Sequence, residues 1–349
     1  MALCIIQVKW NPMEAIELGN TGLRAPQIGF GCSAVLGRSG KNESLRAMAV
    51  AWDEGVRFFD TARAYGYGES EALLGEFLRG RRHQAVISTK FGILAARPTW
   101  WKQVAKAAAR KVLATAPSTH ALLQKRAASQ FSHGQFTVAV LQQSIEESLR
   151  KLGTEYADVL FLHAPPASVL EQDDLLEALG RLVETGKVRI AGISADPSVV
   201  ELALRRRGAP LRAMQFPCNI FEISAALGLV KLSTGGELLV ANQPFGGRAR
   251  VKQCGGMLES LAASGELDAG IREKLVTVDD ALLADVMLNT ILRDTGIHMA
   301  IPAMMRAEHI RTNVRAISES RFESWEIAEI RRVLQLRASA AAVANQAVA

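Results

Sequence analysis

Residues 57–78, RFFDTARAYGYGESEALLGEFL, pass from an apolar β-type run through a glycine-rich loop into a helical pattern. The run at 57–62 reads as a strand, Ser70 as a side-chain cap for the helix EALLGEFL, and Gly80 as its stop. The strand ends on a charge: Asp60 follows two phenylalanines suited to a sheet interior, and Tyr65 lies in the loop just beyond.

The same unit repeats outward from this stretch. Strand-like runs stand at 27–32, 57–62, 85–91, 157–163, 188–194, 213–218, 238–245 and 298–303. Helical patterns separate them, starting at Asn42, Ser70 and Asp196-Pro197 and stopping at Gly55, Gly80, Gly153, Gly186 and Gly208. Strands alternating with helical crossovers predict an α/β fold with a parallel sheet, and eight strands suit a closed (β/α)8 TIM barrel. The expected organisation is a barrel over 13–337, with a long insertion at 94–135 after strand 3 and an extra C-terminal helix, FESWEIAEIRRVLQLR. Residues 1–12 read as an N-terminal extension and 338–349 as an Ala-rich tail.

Three strands end on ionisable side chains: Asp60 after RFF, Lys90 after AVIST and His163 after ADVLFL. In a barrel these ends open onto one face, where such residues meet. A buried carboxylate or ammonium needs a partner, so Asp60 and Lys90 are expected to pair. Lys90 would stabilise the Tyr65 phenolate and bring its pKa down from the usual ~10. Tyr65 would then transfer a proton while His163 polarises a carbonyl.

The net charge of +6 is concentrated in one place. Arg97, Lys102, Lys106, Arg110, Lys111, Lys125 and Arg126 lie within 94–135 with no acidic residue among them, leaving the remaining chain near neutral. Neither a nucleic-acid nor a membrane partner is expected from such a distribution. The insertion should project from the face where the strands end and help select the substrate. Four scattered cysteines without metal-type spacing suit reduced thiols, and no targeting or membrane-spanning segment is read, so a cytoplasmic location is expected. His83, His120, His133, His298 and His309 show no metal-ligand spacing. The run GFGCSA at 29–34 formally matches a dinucleotide fingerprint, but VLGRSGKN intervenes before the next helix, which argues against a doubly wound domain.

FDTARAYGYGESEALLGEFL, STKFG and ADVLFLHAP together closely resemble the aldo-keto reductase family. LGNTGLRAPQIGFGCS, SIEESLRKLGTEYADVLFLH, GKVRIAGIS and IPAMMRAEHIRTN extend the likeness from Leu18 to Ile317. The resemblance implies a catalytic tetrad of Asp60, Tyr65, Lys90 and His163, reducing an aldehyde or ketone substrate with a non-covalent nicotinamide cofactor. It further implies that Gly31 and Cys32 lie near the nicotinamide, that Ser194 and Gln215 bond its carboxamide, and that Asn242, Phe245 and Gly246 pack against the ring and pyrophosphate. Asn313 would face the adenine. Where family members grip the 2′-phosphate of NADPH, this chain reads Ala303, Met304 and Met305, which leaves Arg306 or His309 for that role. NADPH is the favoured cofactor, with NADH the alternative. Two rival readings share the barrel: a nucleotide-binding scaffold with little turnover, and a redox-neutral reaction at the same tetrad.

Overall fold

The computed structural model describes residues 13–37, 39–95, 131–132, 135–206 and 208–348, with 95, 131–132 and 338–348 described by their backbone alone. Eight strands run through it: β1 (Gly29–Gly31), β2 (Phe58–Asp60), β3 (Val86–Phe91), β4 (Ala157–His163), β5 (Val188–Ser194), β6 (Leu211–Pro217), β7 (Leu238–Asn242) and β8 (Met299–Ile301). Each overlaps a run read as a strand, with β6 starting two residues earlier than read. They pair in chain order, all parallel. A parallel bridge between Ile28 and Ala300 closes the barrel, with the Ala300 N–H donating to Gln27 O at 2.9 Å and the Gly31 N–H to Pro302 O at 3.0 Å.

Six helices follow the first strands: α1 (Lys41–Asp53), α2 (Ser70–Phe77), α3 (Val138–Leu152), α4 (Asp173–Glu184), α5 (Pro197–Arg205) and α6 (Ile223–Leu232). Between β7 and β8 come α7 (Arg248–Ala263), α8 (Ala269–Lys274) and α9 (Asp280–Leu292). The chain finishes with α10 (Ala307–Ser318) and α11 (Ser324–Val348). The backbone of α11 stays helical through the Ala-rich stretch, as the helix preference of alanine favours.

The glycine stops hold: Gly55, Gly80, Gly153, Gly186 and Gly208 all have positive φ. The three expected side-chain caps do not. Gly40 precedes α1 in place of Asn42, and Ser70 is the first residue of α2, with its hydroxyl 3.0 Å from Thr61 Oγ1. Asp196 does occupy the position before α5, with Pro197 next, yet its carboxylate makes no capping bond.

Side chains alternate in and out along each strand. Phe59, Ile87, Leu160, Leu162, Ile193, Met214 and Phe216 point outward into the clusters shared with the helices. Phe58, Val86, Val159, Phe161, Ile190, Leu238, Val240 and Met299 point inward and form one apolar cluster that fills the barrel. Its floor is a feature the sequence reading did not anticipate. A short antiparallel pair, Ile16–Glu17 with Arg24–Ala25, presents Leu18 and Leu23 to that same cluster. The expected 1–12 extension and most of the basic insertion lie outside the described residues; of the latter, Leu94–Ala95 pairs antiparallel with Phe131–Ser132. Among the described residues no helix is long and apolar enough to cross a membrane.

Candidate active site

One step further along each inward-facing ladder, the barrel turns polar. Two residues beyond Phe58 stands Asp60, two beyond Phe161 stands His163, and Lys90, Ser194, Gln215 and Asn242 continue the inward positions of their own strands. Strand register brings them level: Gly31 pairs with Asp60, His163 with Ser194, Ser194 with Gln215. The two-residue period that buries the apolar layer thus also builds the site above it.

Asp60 is 4% exposed and Lys90 1%, so the pair stands only if its hydrogen bonds are complete. They are. Lys90 Nζ donates to Asp60 Oδ2 at 2.6 Å and to Thr61 O at 3.0 Å, while Ser88 Oγ and Gln215 Nε2 donate to Asp60 Oδ1 at 2.6 and 3.0 Å. Burial alone would pull the lysine pKa down, but the Asp60 carboxylate and then Tyr65 hold it above the ordinary value.

Tyr65 opens a tight turn, Tyr65–Gly68, rather than a strand, and its N–H donates to Ala62 O at 3.0 Å. Its ring meets the His163 ring edge-on, centroids 5.9 Å apart at 87°, and the Lys90 ammonium lies 4.8 Å from its centroid. Here the expectation of a lowered phenol pKa is corrected. Burial is the largest influence and pushes the phenol above the ordinary tyrosine value; Lys90 does pull the other way, as expected, but is outweighed. Tyr65 is therefore a neutral phenol at neutral pH. The neighbouring Lys90 ammonium lies where it would stabilise negative charge on that phenol.

These groups border a cleft of about 300 Å³ lined by Gly31, Asp60, Tyr65, His163, Ser194, Gln215 and Asn242 together with Ser33, Ala164, Ala195, Asp196, Pro217, Gln243, Ile301 and Ala303. Ala164 and Gln243, directly after His163 and Asn242, hold φ of 48° and 54°, a conformation that favours glycine; such backbone gathers at functional sites. The Ala164 N–H donates to Ser194 O at 2.7 Å, which fixes the turn leaving His163. Ser194 Oγ donates to Gln215 Oε1 at 2.6 Å, whereas Asn242 Oδ1 is buried without a hydrogen-bond partner. That orphaned acceptor suits a carboxamide N–H and so fits a nicotinamide, while Ser194 and Gln215 already donate to Gln215 Oε1 and Asp60 Oδ1.

Other residues named from the sequence stand elsewhere. Cys32 is fully buried, its thiol held well above the usual range by burial and then by Asp60, so it packs rather than reacts. Phe245 is half-buried between two core clusters, and Gly246 has φ 60° in the turn after β7. Met304 is 1% exposed and Met305 packs on the same cluster, so both methionines serve the core. Arg306 is the exposed residue before α10, His309 is exposed on its first turn, and Asn313 is buried on the same helix. Sequence reading missed Ser88, although its place two residues before Lys90 sets it on the same inward face. It also missed Asp196 as a cleft residue, having read it as a cap. No cluster of His, Cys, Asp or Glu among the described residues suits a metal.

A family model described as the Aldo/keto reductase family matches residues 27–335. Aldo-keto reductase YhdN of Bacillus subtilis (strain 168) is 28% identical over 216 residues, 60% of this chain and 55% of that protein; the chain spans about half the length of this relative. Among solved structures, aldo-keto reductase AKR11C1 from Bacillus halodurans in its holo form superposes with a TM-score of 0.66 at 20% identity, covering 92% of this chain and 96% of that one. An aldo/keto reductase from Klebsiella pneumoniae in complex with NADP and acetate does so with a TM-score of 0.61 at 20% identity, covering 91% and 94%. The two structures share the fold, and the family match runs from the first barrel strand past the last: the chain belongs to the aldo/keto reductase family.

Proposed function

We propose that this chain reduces a small aldehyde or ketone to its alcohol, reversibly, with a non-covalent nicotinamide cofactor. The observation that carries this reading is the meeting of Tyr65, Lys90 and His163 over Asp60 at the mouth of the cleft. A bound reduced nicotinamide supplies hydride to the carbonyl carbon. Ser194, Gln215 and Asn242 would hold its carboxamide, beside Gly31. Tyr65 gives its proton to the carbonyl oxygen, and Lys90 stabilises the phenolate so formed. His163 donates a hydrogen bond that orients the same oxygen. Asp60 keeps Lys90 charged and in place.

NADPH is the cofactor we favour. The buried Met304 cannot grip a 2′-phosphate, but Arg306 projects at the start of α10, where free N–H groups and the helix dipole also attract an anion. The relative solved with NADP bound supports a phosphorylated cofactor in this family. The test is cofactor oxidation with NADPH and with NADH against a panel of aldehydes and ketones. Wild type should turn over and Tyr65→Phe should not, while both bind cofactor with similar affinity. Equal turnover in the two proteins would overturn the reading.

A further inference from the structure

Asp60, Lys90 and His163 stand on strands whose ladder fixes them, but Tyr65 hangs on a turn. That turn is unusual: Gly66, Tyr67 and Gly68 take φ of 57°, 58° and 89°, three left-handed residues in succession, one of them a bulky tyrosine. Such a backbone relaxes unless its surroundings hold it. From within the barrel, the Thr61 N–H donates to Ser88 O at 2.8 Å and Lys90 donates to Thr61 O at 3.0 Å, both at the start of the segment, while Lys90 and His163 meet the Tyr65 ring itself.

From outside, α3 grips it at two points. Arg63, midway between Asp60 and Tyr65, donates from Nη2 to Glu147 Oε2 at 2.5 Å. One helical turn later, Lys151 Nζ donates to Gly68 O at 2.7 Å, and it lies 3.4 Å from Glu147 Oε1. Arg63 and Lys151 keep only 10% and 17% of their side chains exposed, so these contacts are sheltered from full solvent screening. Gly75 lets α3 come this close: a Cβ there would meet the carbonyl oxygens of Lys151 and Leu152 at 2.6 Å. One helix therefore fixes both ends of the loop that carries the phenol.

We infer that Glu147 and Lys151, acting through Arg63 and Gly68, are positioning residues that hold the Tyr65 hydroxyl over Lys90 and His163. This rests on Tyr65 being the proton donor. A misplacement near 1 Å at a reacting group costs about 100-fold in rate. Glu147→Ala and Lys151→Ala are therefore expected to lower kcat about 10- to 100-fold, with KM and cofactor Kd within about twofold of wild type. Glu147→Gln, which keeps the shape and loses the charge, should fall between. Exchanging the charges in Arg63→Glu/Glu147→Arg should recover most of what Glu147→Ala loses.

Tyr65→Phe is measured alongside. If that variant keeps its turnover, the proton-donor reading fails and this inference with it. If it is inactive while Glu147→Ala and Lys151→Ala retain wild-type kcat, only the positioning inference is overturned. A loss of kcat matched by an equal loss of cofactor affinity also overturns it, since that marks a loosened barrel rather than a displaced phenol.

Discussion

Replacing Asp60 by Asn tests what keeps a lysine ammonium inside the barrel. The change is nearly isosteric, and the Asn Oδ1 can still accept from Ser88 and Gln215, which now donate to Asp60 Oδ1 at 2.6 and 3.0 Å. What disappears is the charge facing Lys90, which is 1% exposed. Leaving one ion of a buried pair uncompensated costs about 3–5 kcal/mol, and that is the expected loss in urea unfolding at neutral pH. The pH dependence carries a sign. Without Asp60, burial, already the largest single influence, is no longer outweighed and should drop the folded-state pKa of Lys90 below its unfolded value. The unfolded chain then binds the extra proton, so the deficit should shrink as pH rises towards ~10. Asp60→Asn/Lys90→Met should regain most of the stability at neutral pH and none of the activity. A deficit under about 1 kcal/mol, or a double variant no more stable than the single one, would refute the reasoning.

Because Tyr65 is raised above the ordinary tyrosine value, carbonyl reduction should stay level through neutral pH and fall only above ~10, while alcohol oxidation, which needs the phenolate, should climb over the same range; initial rates in both directions check this. Burial pushes Cys218 and Cys254 up to about 12 and Cys32 higher still, so peptide mapping after alkylation at mildly alkaline pH should find all three unmodified in the native protein and labelled after denaturation. Gly75→Ala should destabilise by about 1–3 kcal/mol in denaturant unfolding; alanine improves helix propensity by ~1 kcal/mol, but its methyl would press on two backbone carbonyls at 2.6 Å. Arg306→Ala should raise the KM for NADPH about tenfold, or ~1.4 kcal/mol, and leave that for NADH unchanged; equal effects on both would remove Arg306 from cofactor selection.

The barrel was legible because its strands are short apolar runs bounded by polar loops, and a period of two fixes which side chains share a face. Asp60, Lys90 and His163 could be placed at one mouth for that reason alone. Residues whose role depends on what folding brings near them were not legible. Ser70 has the chemistry of a cap, but the hydroxyl of Thr61 lies beside it. Asp196 stands where a cap should and lines the cleft instead. The acidity of Tyr65 was read from its charged neighbour, whereas burial, which no local pattern reports, decides the direction. Arg63 and Glu147 are 84 positions apart, and nothing along the chain announces that they meet. The hairpin beneath the barrel escaped because two-residue strands carry no periodicity to read.

That hairpin has an electrostatic meaning. Leu18 and Leu23 seal the end of the barrel opposite Tyr65, and the Asn20 N–H is tied to Gly236 O at 3.3 Å. Shielded to 0% and 1% exposure, the two leucines cap the apolar filling from below, so the ion pair of Asp60 and Lys90 stands on hydrocarbon rather than on solvent.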